Sequence, residues 1–253
     1  MEDKIYRNFA EVYDALTDDV AYDRTFSYLE EIFKRQMTFK PHLMLELACG
    51  TGNMTKRFLK HGYDMIALDA SADMLNVARE KCGEEVLLLN QDMTEFELYG
   101  TVDAICCMLD SVNYIQSPKE LLQMFRLCEN YLEYGGLLVF DINSVYKLKN
   151  IIGTETFIRE TEDVFSVWEN EQDDPFVHFI LNFFVTKDGG KTYTRFYEEH
   201  TERMYEADEI VSLLKQAGFT NVCVFGEDTF DAPKTNEERI FFTANKRTAV
   251  EIK

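Results

Sequence analysis

Gly50 and Gly52 stand two residues apart in "MLELACGTGNMT" (44–55), with an acid, Glu46, four residues before the first. Glycines at the mouth of a strand let the backbone lie close to a ligand, because no Cβ intervenes. Two aspartates follow at later strand ends: Asp69 in "ALDAS", seventeen residues past Gly52, and Asp92 in "NQDM". Carboxylates at such tips suit hydroxyl or amino donors of a ligand. The loop is not a phosphate cradle. A P-loop needs a second Gly and then Lys at positions that here hold Thr55 and Lys56. The dinucleotide fingerprint needs three glycines where this chain has Ala48, Gly50 and Asn53. The ligand therefore wants close backbone contact without a pyrophosphate, which disfavours a nicotinamide-dependent oxidoreductase.

Apolar strands alternate with amphipathic helices from residue 40 to 142, and these must hold the candidate residues. "HLMLELA" (42–48) reads as the first strand and "NMTKRFLKHG" (53–62) as a short helix closed by Gly62. "DMIALD" (64–69) is the second strand. Ser71 is a natural N-cap for "ADMLNVAREKC", whose Met74, Leu75 and Ala78 share one stripe. "EVLLLN" (85–90), "VDAICCML" (102–109) and "LLVFDIN" (137–143) are near-continuous apolar runs, as suits strands covered on both faces. A helix over 118–136 opens on Pro118 and is expected to close on Gly135-Gly136. This order predicts an α/β fold: a doubly wound, mostly parallel Rossmann-like sheet of seven strands with helices on both faces. Ligands of such sheets sit beyond the carboxyl ends of the strands, near the switch in strand order.

After Asn143 the pattern changes. "TETFIRETEDVFSVWENEQ", "FVHFILNFFVTKDGG" and "KTYTRFYEEHTERMY" are aromatic and β-branched, and "DGG" at 188–190 signals a hairpin. They predict a small antiparallel sheet inserted over 144–204, covering the substrate side of a domain made from 1–143 and 205–253. "EADEIVSLLKQAGF" (206–219) is a helix ending at Gly218, and "TNVCVFG" and "ERIFFTAN" return as late strands. The first 40 residues, with "YRNFAEVYDALTDD" and "AYDRTFSYLEEIFKRQ", read as helical and form a candidate lid.

Hydrophobic residues make up 46% and charged residues 28% of the 253 positions, the balance of a globular protein. A net charge of −20 works against a nucleic-acid surface, so a small-molecule partner is expected instead. Glu155 to Glu209 holds fifteen acids against five bases, which makes the insert either a solvated acidic face or a mouth for cations. No apolar run nears the ~20 residues of a membrane span, and "MEDKIYRNFAEVYD" lacks a signal segment, so a cytoplasmic location is expected. Six scattered cysteines form no CxxC pair, and Cys106 and Cys107 would point to opposite strand faces. Neither disulfides nor a metal site is expected. Oligomeric state is not written in the pattern.

In order and placement, "LELACGTGN", "ALDAS", "NQDM", the Gly-Gly turn before "LLVFDIN", and "RMYEADEIVSLLKQAGF" resemble the class I S-adenosylmethionine-dependent methyltransferases. Among these the chain is similar to the small bacterial YqeM-like type. The resemblance implies S-adenosyl-L-methionine as cofactor and S-adenosyl-L-homocysteine as product. It implies that Gly50 and Gly52 lie against the methionine portion, flanked by Ala48 and Asn53, with Glu46 ordering the loop or accepting from the amino group. Asp69, beside Ala70, would take the ribose hydroxyls. Asp92 and the Met93 backbone N–H, beside Gln91, would meet the adenine, with Met74 packed on its ring. Leu109 and Asp110 would line the floor near the sulfonium, and Tyr13 or Tyr22 the lid. The family's usual first glycine is Ala48 here, tolerable provided no positive φ is needed there.

Each residue has a plainer reading. Asp69 and Asp92 also suit turns or helix caps, Met74 and Leu109 suit the core, and Glu46 could serve only to bond loop amides. A methyl transfer to a nucleophilic N, O or C atom demands mainly in-line positioning, which is worth roughly 7–11 kcal/mol. His178 and His200 are candidate bases, and Tyr114, Tyr193, Tyr197 and Trp168 a candidate aromatic wall for a cationic or planar acceptor. The alternative is a non-catalytic cofactor-binding or regulatory protein that uses the insert as a partner surface.

Overall fold

The computed structural model describes residues 10, 13–14, 17, 20–186 and 188–248. Much of the helix expected over "YRNFAEVYDALTDD" lies outside the described residues. The chain then runs α1 (Tyr22–Gln36), β1 (Leu43–Leu47), α2 (Asn53–Lys60), β2 (Asp64–Asp69), α3 (Ala72–Cys82) and β3 (Val86–Asn90). It continues with β4 (Val102–Cys107), a 3-10 turn (Ser111–Tyr114), α4 (Pro118–Tyr131) and β5 (Leu132–Asn143). A π-helical turn (Lys147–Ile152) leads into β6 (Thr156–Glu160), β7 (Val164–Asp173), β8 (Phe176–Val185) and β9 (Thr194–Arg203). The last elements are α5 (Ala207–Ala217), β10 (Thr220–Gly226) and β11 (Arg239–Asn245).

Seven strands form the main sheet in the order β10-β11-β5-β4-β1-β2-β3. Strands β1 to β5 pair parallel among themselves, while β11 pairs antiparallel with both β5 and β10. The expected doubly wound sheet is therefore present, with its switch in order between β1 and β4. Successive residues of a strand point to opposite faces, and the core divides accordingly. Leu45, Ile105, Cys107 and Phe140 pack with α4 and α5, whereas Met44, Ala104, Cys106 and Val139 pack with α1 and α2. Both faces are thus dry, which is why these strands read as unbroken apolar runs. Cys106 and Cys107 fall on opposite sides, as their adjacency requires.

α4 ends earlier than the glycines suggested. It stops at Tyr131, and β5 starts at Leu132, paired with Val102 of β4. Strand pairing with β4 overrides the helix propensity of "LEY", and the two glycines fall within β5.

A second sheet has the order β6-β7-β8-β9, all antiparallel. The segment read as one run, "TETFIRETEDVFSVWENEQ", is two strands. Its turn contains no Gly or Pro and is closed by Thr161 N–H donating to Val164 O at 2.8 Å. This sheet is tied to the first through Asn113. Its side chain donates to Asn143 O at 3.2 Å and Arg203 O at 3.0 Å, and accepts from Asn143 N–H at 3.0 Å.

Among the described residues, no helix is long and apolar enough to cross a membrane.

Candidate functional site

The glycine loop leaves β1 at the switch in strand order and turns by departures from ordinary backbone at three alternate residues. Ala48, Gly50 and Gly52 have φ of 51°, 55° and 77°. The condition under which alanine would be harmless at position 48 is not met: this residue sits in the left-handed region, where a Cβ is strained. The two glycines differ in role. A Cβ on Gly50 would meet no atom within 4 Å, so its open side faces the cavity described below. A Cβ on Gly52 would come within 3.0 Å of Cys82 Sγ and 3.1 Å of Ala78 Cβ. Gly52 therefore lets the loop seat on α3, and it is absent from the cavity wall.

Asp69, at the tip of β2, holds this loop directly. One carboxylate oxygen accepts from Gly50 N–H at 2.8 Å and the other from Ser71 N–H at 2.8 Å. Burial pushes its pKa up, against the pull of those two amides. Ser71 caps α3 by accepting from Met74 N–H at 3.2 Å, as the sequence predicted. Glu46 is 3% exposed and accepts from the Thr55 hydroxyl. Burial pushes its carboxyl up to about 8, with the Asp69 charge adding to the effect.

From the loop a cavity of about 1390 Å3 extends along the carboxyl ends of the strands. Tyr13, Ala48, Gly50, Asp69, Ala70, Met74, Asp92, Met93, Leu109 and Asp110 all line it. Ten of the fourteen candidates thus share one cleft. Two more, Glu46 and Asn53, line a side cavity of about 50 Å3 together with Tyr13, Tyr22 and Gly50. Asn53 is also engaged elsewhere. Its amide donates to Asp14 at 2.9 Å and Tyr22 at 3.2 Å, and its oxygen accepts from Lys81 Nζ at 2.7 Å. Gln91 lines neither cavity; its side chain accepts from Glu97 N–H at 2.8 Å and shapes the turn. Asp92 has one oxygen committed to Thr94, from its N–H at 2.7 Å and its hydroxyl at 2.6 Å.

The far wall belongs to the second sheet. Phe157, Arg159, Ser166, Trp168, Phe179, Leu181, Phe183, His200 and Glu202 share its inner face and line the cavity. Strand alternation selects among the candidates here. On β8, Phe179 and Leu181 face inward, so His178 faces away and bonds the Thr201 hydroxyl at 2.9 Å. On β9, His200 and Glu202 face inward, so Tyr197 faces out and is exposed, as is Tyr193 before it. Of the four aromatic candidates, Trp168 and Tyr114 line the cavity and Tyr193 and Tyr197 do not. His200 packs edge-on to Tyr114 with centroids 5.8 Å apart, and burial holds its imidazole below the ordinary value.

Three residues of the floor were missed in the sequence. Asp141, 1% exposed on β5, accepts from Leu109 N–H at 2.8 Å and Asp110 N–H at 3.2 Å. Those two residues have φ of 59° and 56°, a turn that Asp141 pins. Arg239 of β11 bridges Asp141 and Asp110, reaching the latter at 2.7 Å. Glu202 of β9 completes the group, accepting from the Asn143 amide at 3.0 Å and lining the cavity together with Asp110. The one signal available was an Asp inside the otherwise apolar run "LLVFDIN".

Comparison with known proteins agrees with this geometry. The family model described as "Methyltransferase domain" matches residues 44–136, from β1 to the start of β5. The putative methyltransferase YqeM of Bacillus subtilis (strain 168) is 31% identical over 251 residues, spanning 97% of this chain and 99% of its own. The crystal structure of an S-adenosylmethionine-dependent methyltransferase from Clostridium acetobutylicum is 32% identical, with a TM-score of 0.86 over 96% of this chain and 99% of that one. Streptomyces venezuelae DesVI shares the fold at 23% identity, with a TM-score of 0.79 over 95% and 98%. A likeness that holds from end to end, around a loop and cleft of this shape, means that the chain belongs to the S-adenosylmethionine-dependent methyltransferases, among the YqeM-like proteins, with S-adenosyl-L-methionine as its cofactor.

Proposed function

We propose that the protein transfers a methyl group from S-adenosyl-L-methionine to a nucleophilic atom of a small molecule enclosed beneath the inserted sheet. The size of the cleft carries this reading. At about 1390 Å3 it exceeds the roughly 300–1,000 Å3 typical of a single small-molecule site, leaving room for a second reactant. That surplus also weighs against the non-catalytic alternative.

The chain's residues fit the cofactor. The open side of Gly50 admits close backbone approach, and the side cavity at Glu46 suits its amino-acid end. Asp69 and Ala70 would hold the ribose, and Asp92, Met93 and Met74 the adenine. Asp69 already spends lone pairs on Gly50 and Ser71, so loop closure and ribose recognition would be one act. When bound, the cofactor supplies an electrophilic methyl group on a sulfonium. The protein's part is to exclude water and align the acceptor, a contribution of roughly 7–11 kcal/mol at best.

A small acceptor is favoured by the net charge of −20, which repels polyanions. A partial relative from Streptomyces venezuelae, 33% identical over 107 residues, is named dTDP-3-amino-3,4,6-trideoxy-alpha-D-glucopyranose N,N-dimethyltransferase. Thermal shift with adenosylhomocysteine against NAD tests the cofactor assignment. Incorporation of labelled methyl from the cofactor into small-molecule fractions tests the transfer. Stabilisation by NAD alone would overturn the reading.

A further inference from the structure

Glu202 and Asp110 both line the large cavity, and after burial the neighbouring Asp110 carboxyl is the next cause that pushes the Glu202 pKa up. Two neighbouring carboxyls resist ionising together, so one of them holds a proton. Glu202 keeps it. Its side chain is 1% exposed, whereas Asp110 is ion-paired with Arg239 at 2.7 Å.

The groups around this pair are identifiable on every side. Arg239 is divided between Asp110 and Asp141. Lys147 donates to Asn143 Oδ1 at 2.8 Å, and the Asn143 amide donates to Glu202 at 3.0 Å. Tyr114 and His200 stand beside the pair in the same wall. Glu227 also faces Arg239 and Lys147, so with Glu202 protonated three other carboxyls, Asp110, Asp141 and Glu227, stand against two cations. Loss of the Glu202 proton adds a further negative charge, and an arriving cation supplies the reason to lose it. Tyr114, Trp168, Phe157 and Phe179 line the same space, and aromatic faces favour cations.

We propose that the methyl acceptor is an amine, bound as its ammonium ion against Glu202 and Asp110, and that Glu202 removes its proton before transfer. The proposal rests on the methyltransferase reading above. On binding, the proton held by Glu202 passes to solvent. The ammonium R–NH3+ and the Glu202 carboxylate then become R–NH2 and a carboxylic acid. The lone pair left on nitrogen is the pair that accepts the methyl group, and the positive charge ends on the methylated nitrogen. Asp110 is a positioning residue that keeps Glu202 basic. A hydroxyl acceptor brings no positive charge and gains nothing from this arrangement.

Glu202→Gln tests the idea on the full chain, because its amide has the shape of the protonated carboxyl and its carbonyl still accepts from Asn143. Calorimetry first compares adenosylhomocysteine binding, which is expected to agree within about twofold between parent and variant. Loss of binding in both would sink the methyltransferase reading instead of this one. Labelled S-adenosylmethionine is then offered with a deproteinised bacterial extract, half of it treated with an amine-selective acetylating reagent. Label is expected in the untreated half alone. With that labelled fraction as probe, Glu202→Gln is expected to be at least about 100-fold slower at neutral pH, as for loss of a general base. Its rate should climb with pH as free amine appears, whereas a purely structural role would lower the rate equally at every pH. Binding of the same fraction to the parent's adenosylhomocysteine complex should release protons, read as heats that vary with the buffer. Label in the acetylated half, no label in either half, or an unchanged pH profile in Glu202→Gln would overturn the proposal. So would a profile that changes in His200→Gln alone, which would move the role to that imidazole.

Discussion

The Asp69 carboxylate accepts the Gly50 backbone N–H at 2.8 Å, tying the tip of β2 to the loop that leaves β1. The same group accepts from Ser71 N–H, so it orders both the loop and the start of α3. Asp69→Ala strands two amides in a half-buried place. The expected cost is about 1–3 kcal/mol of stability, the usual penalty for orphaned donors. Adenosylhomocysteine affinity should fall at least tenfold, because the loop loses its anchor and, under the proposed function, the ribose loses its acceptor. Urea denaturation and calorimetry separate the two effects. Destabilisation with unchanged affinity would leave Asp69 a structural residue only.

Ala48 occupies a φ of 51° where glycine would be relaxed. Left-handed backbone costs an L residue roughly 1–2 kcal/mol, so Ala48→Gly should recover part of it, less the entropy of the freer unfolded chain. A net gain near 1 kcal/mol would raise Tm by about 2–4 °C in a chain of this size. Differential scanning calorimetry reads it directly. Ala48→Val should move Tm the other way, since a β-branched side chain is worse still at positive φ.

Much of the sheet was legible because each parallel strand is buried on both faces and so announces itself as an unbroken apolar run. Leu45 and Met44 point to opposite cores, yet both must be apolar. The loop glycines were legible for a related reason, since positive φ restricts the choice of residue. What could not be read was partnership at a distance. Arg239 and Asp110 meet across 129 positions, and neither has a local pattern that requires the other. Nor does periodicity reveal which parity of β9 faces the cleft, so Tyr197 and Glu202 were indistinguishable until the sheet's orientation was known. Gly52 shows the subtler limit. Its residue type was read correctly, but the crowding that a side chain there would meet comes from Cys82 and Ala78 on α3, which the sequence did not foretell.

Glu46 gives the site a pH signature. Its carboxyl rises from the ordinary 4.5 to about 8, chiefly through burial. A folded-state pKa above the unfolded one means that the folded protein holds the proton more tightly. The stability this contributes is fully present below about pH 4.5 and is lost as pH rises toward about 8, at close to 1.4 kcal/mol per unit. Glu46→Gln should therefore show a flatter profile than the parent across that window, measured as urea midpoints at a series of pH values. Identical slopes in parent and variant would place the titration on another group.

Arg239 is the cation on which the floor of the cleft depends. It bridges Asp141, which is 1% exposed, and Asp110, and these in turn fix the Leu109–Asp110 turn. Burial pushes the Asp141 pKa up despite the guanidinium, so the ion pair restrains a charge the interior would otherwise neutralise. Arg239→Met keeps most of the side-chain length but leaves both carboxylates without a counter-ion. Breaking a buried pair in this way costs about 3–5 kcal/mol. The loss should be largest near pH 8 and shrink toward pH 5, where the released Asp141, its pKa already pushed up by burial, can take up a proton instead. Arg239→Lys should fall between parent and methionine, because one ammonium cannot span two carboxylates as a planar fork does. Urea denaturation of the three proteins at both pH values checks the order. A methionine variant equally stable at pH 5 and pH 8 would mean that Asp110 and Asp141 find other partners, and that the turn holds itself.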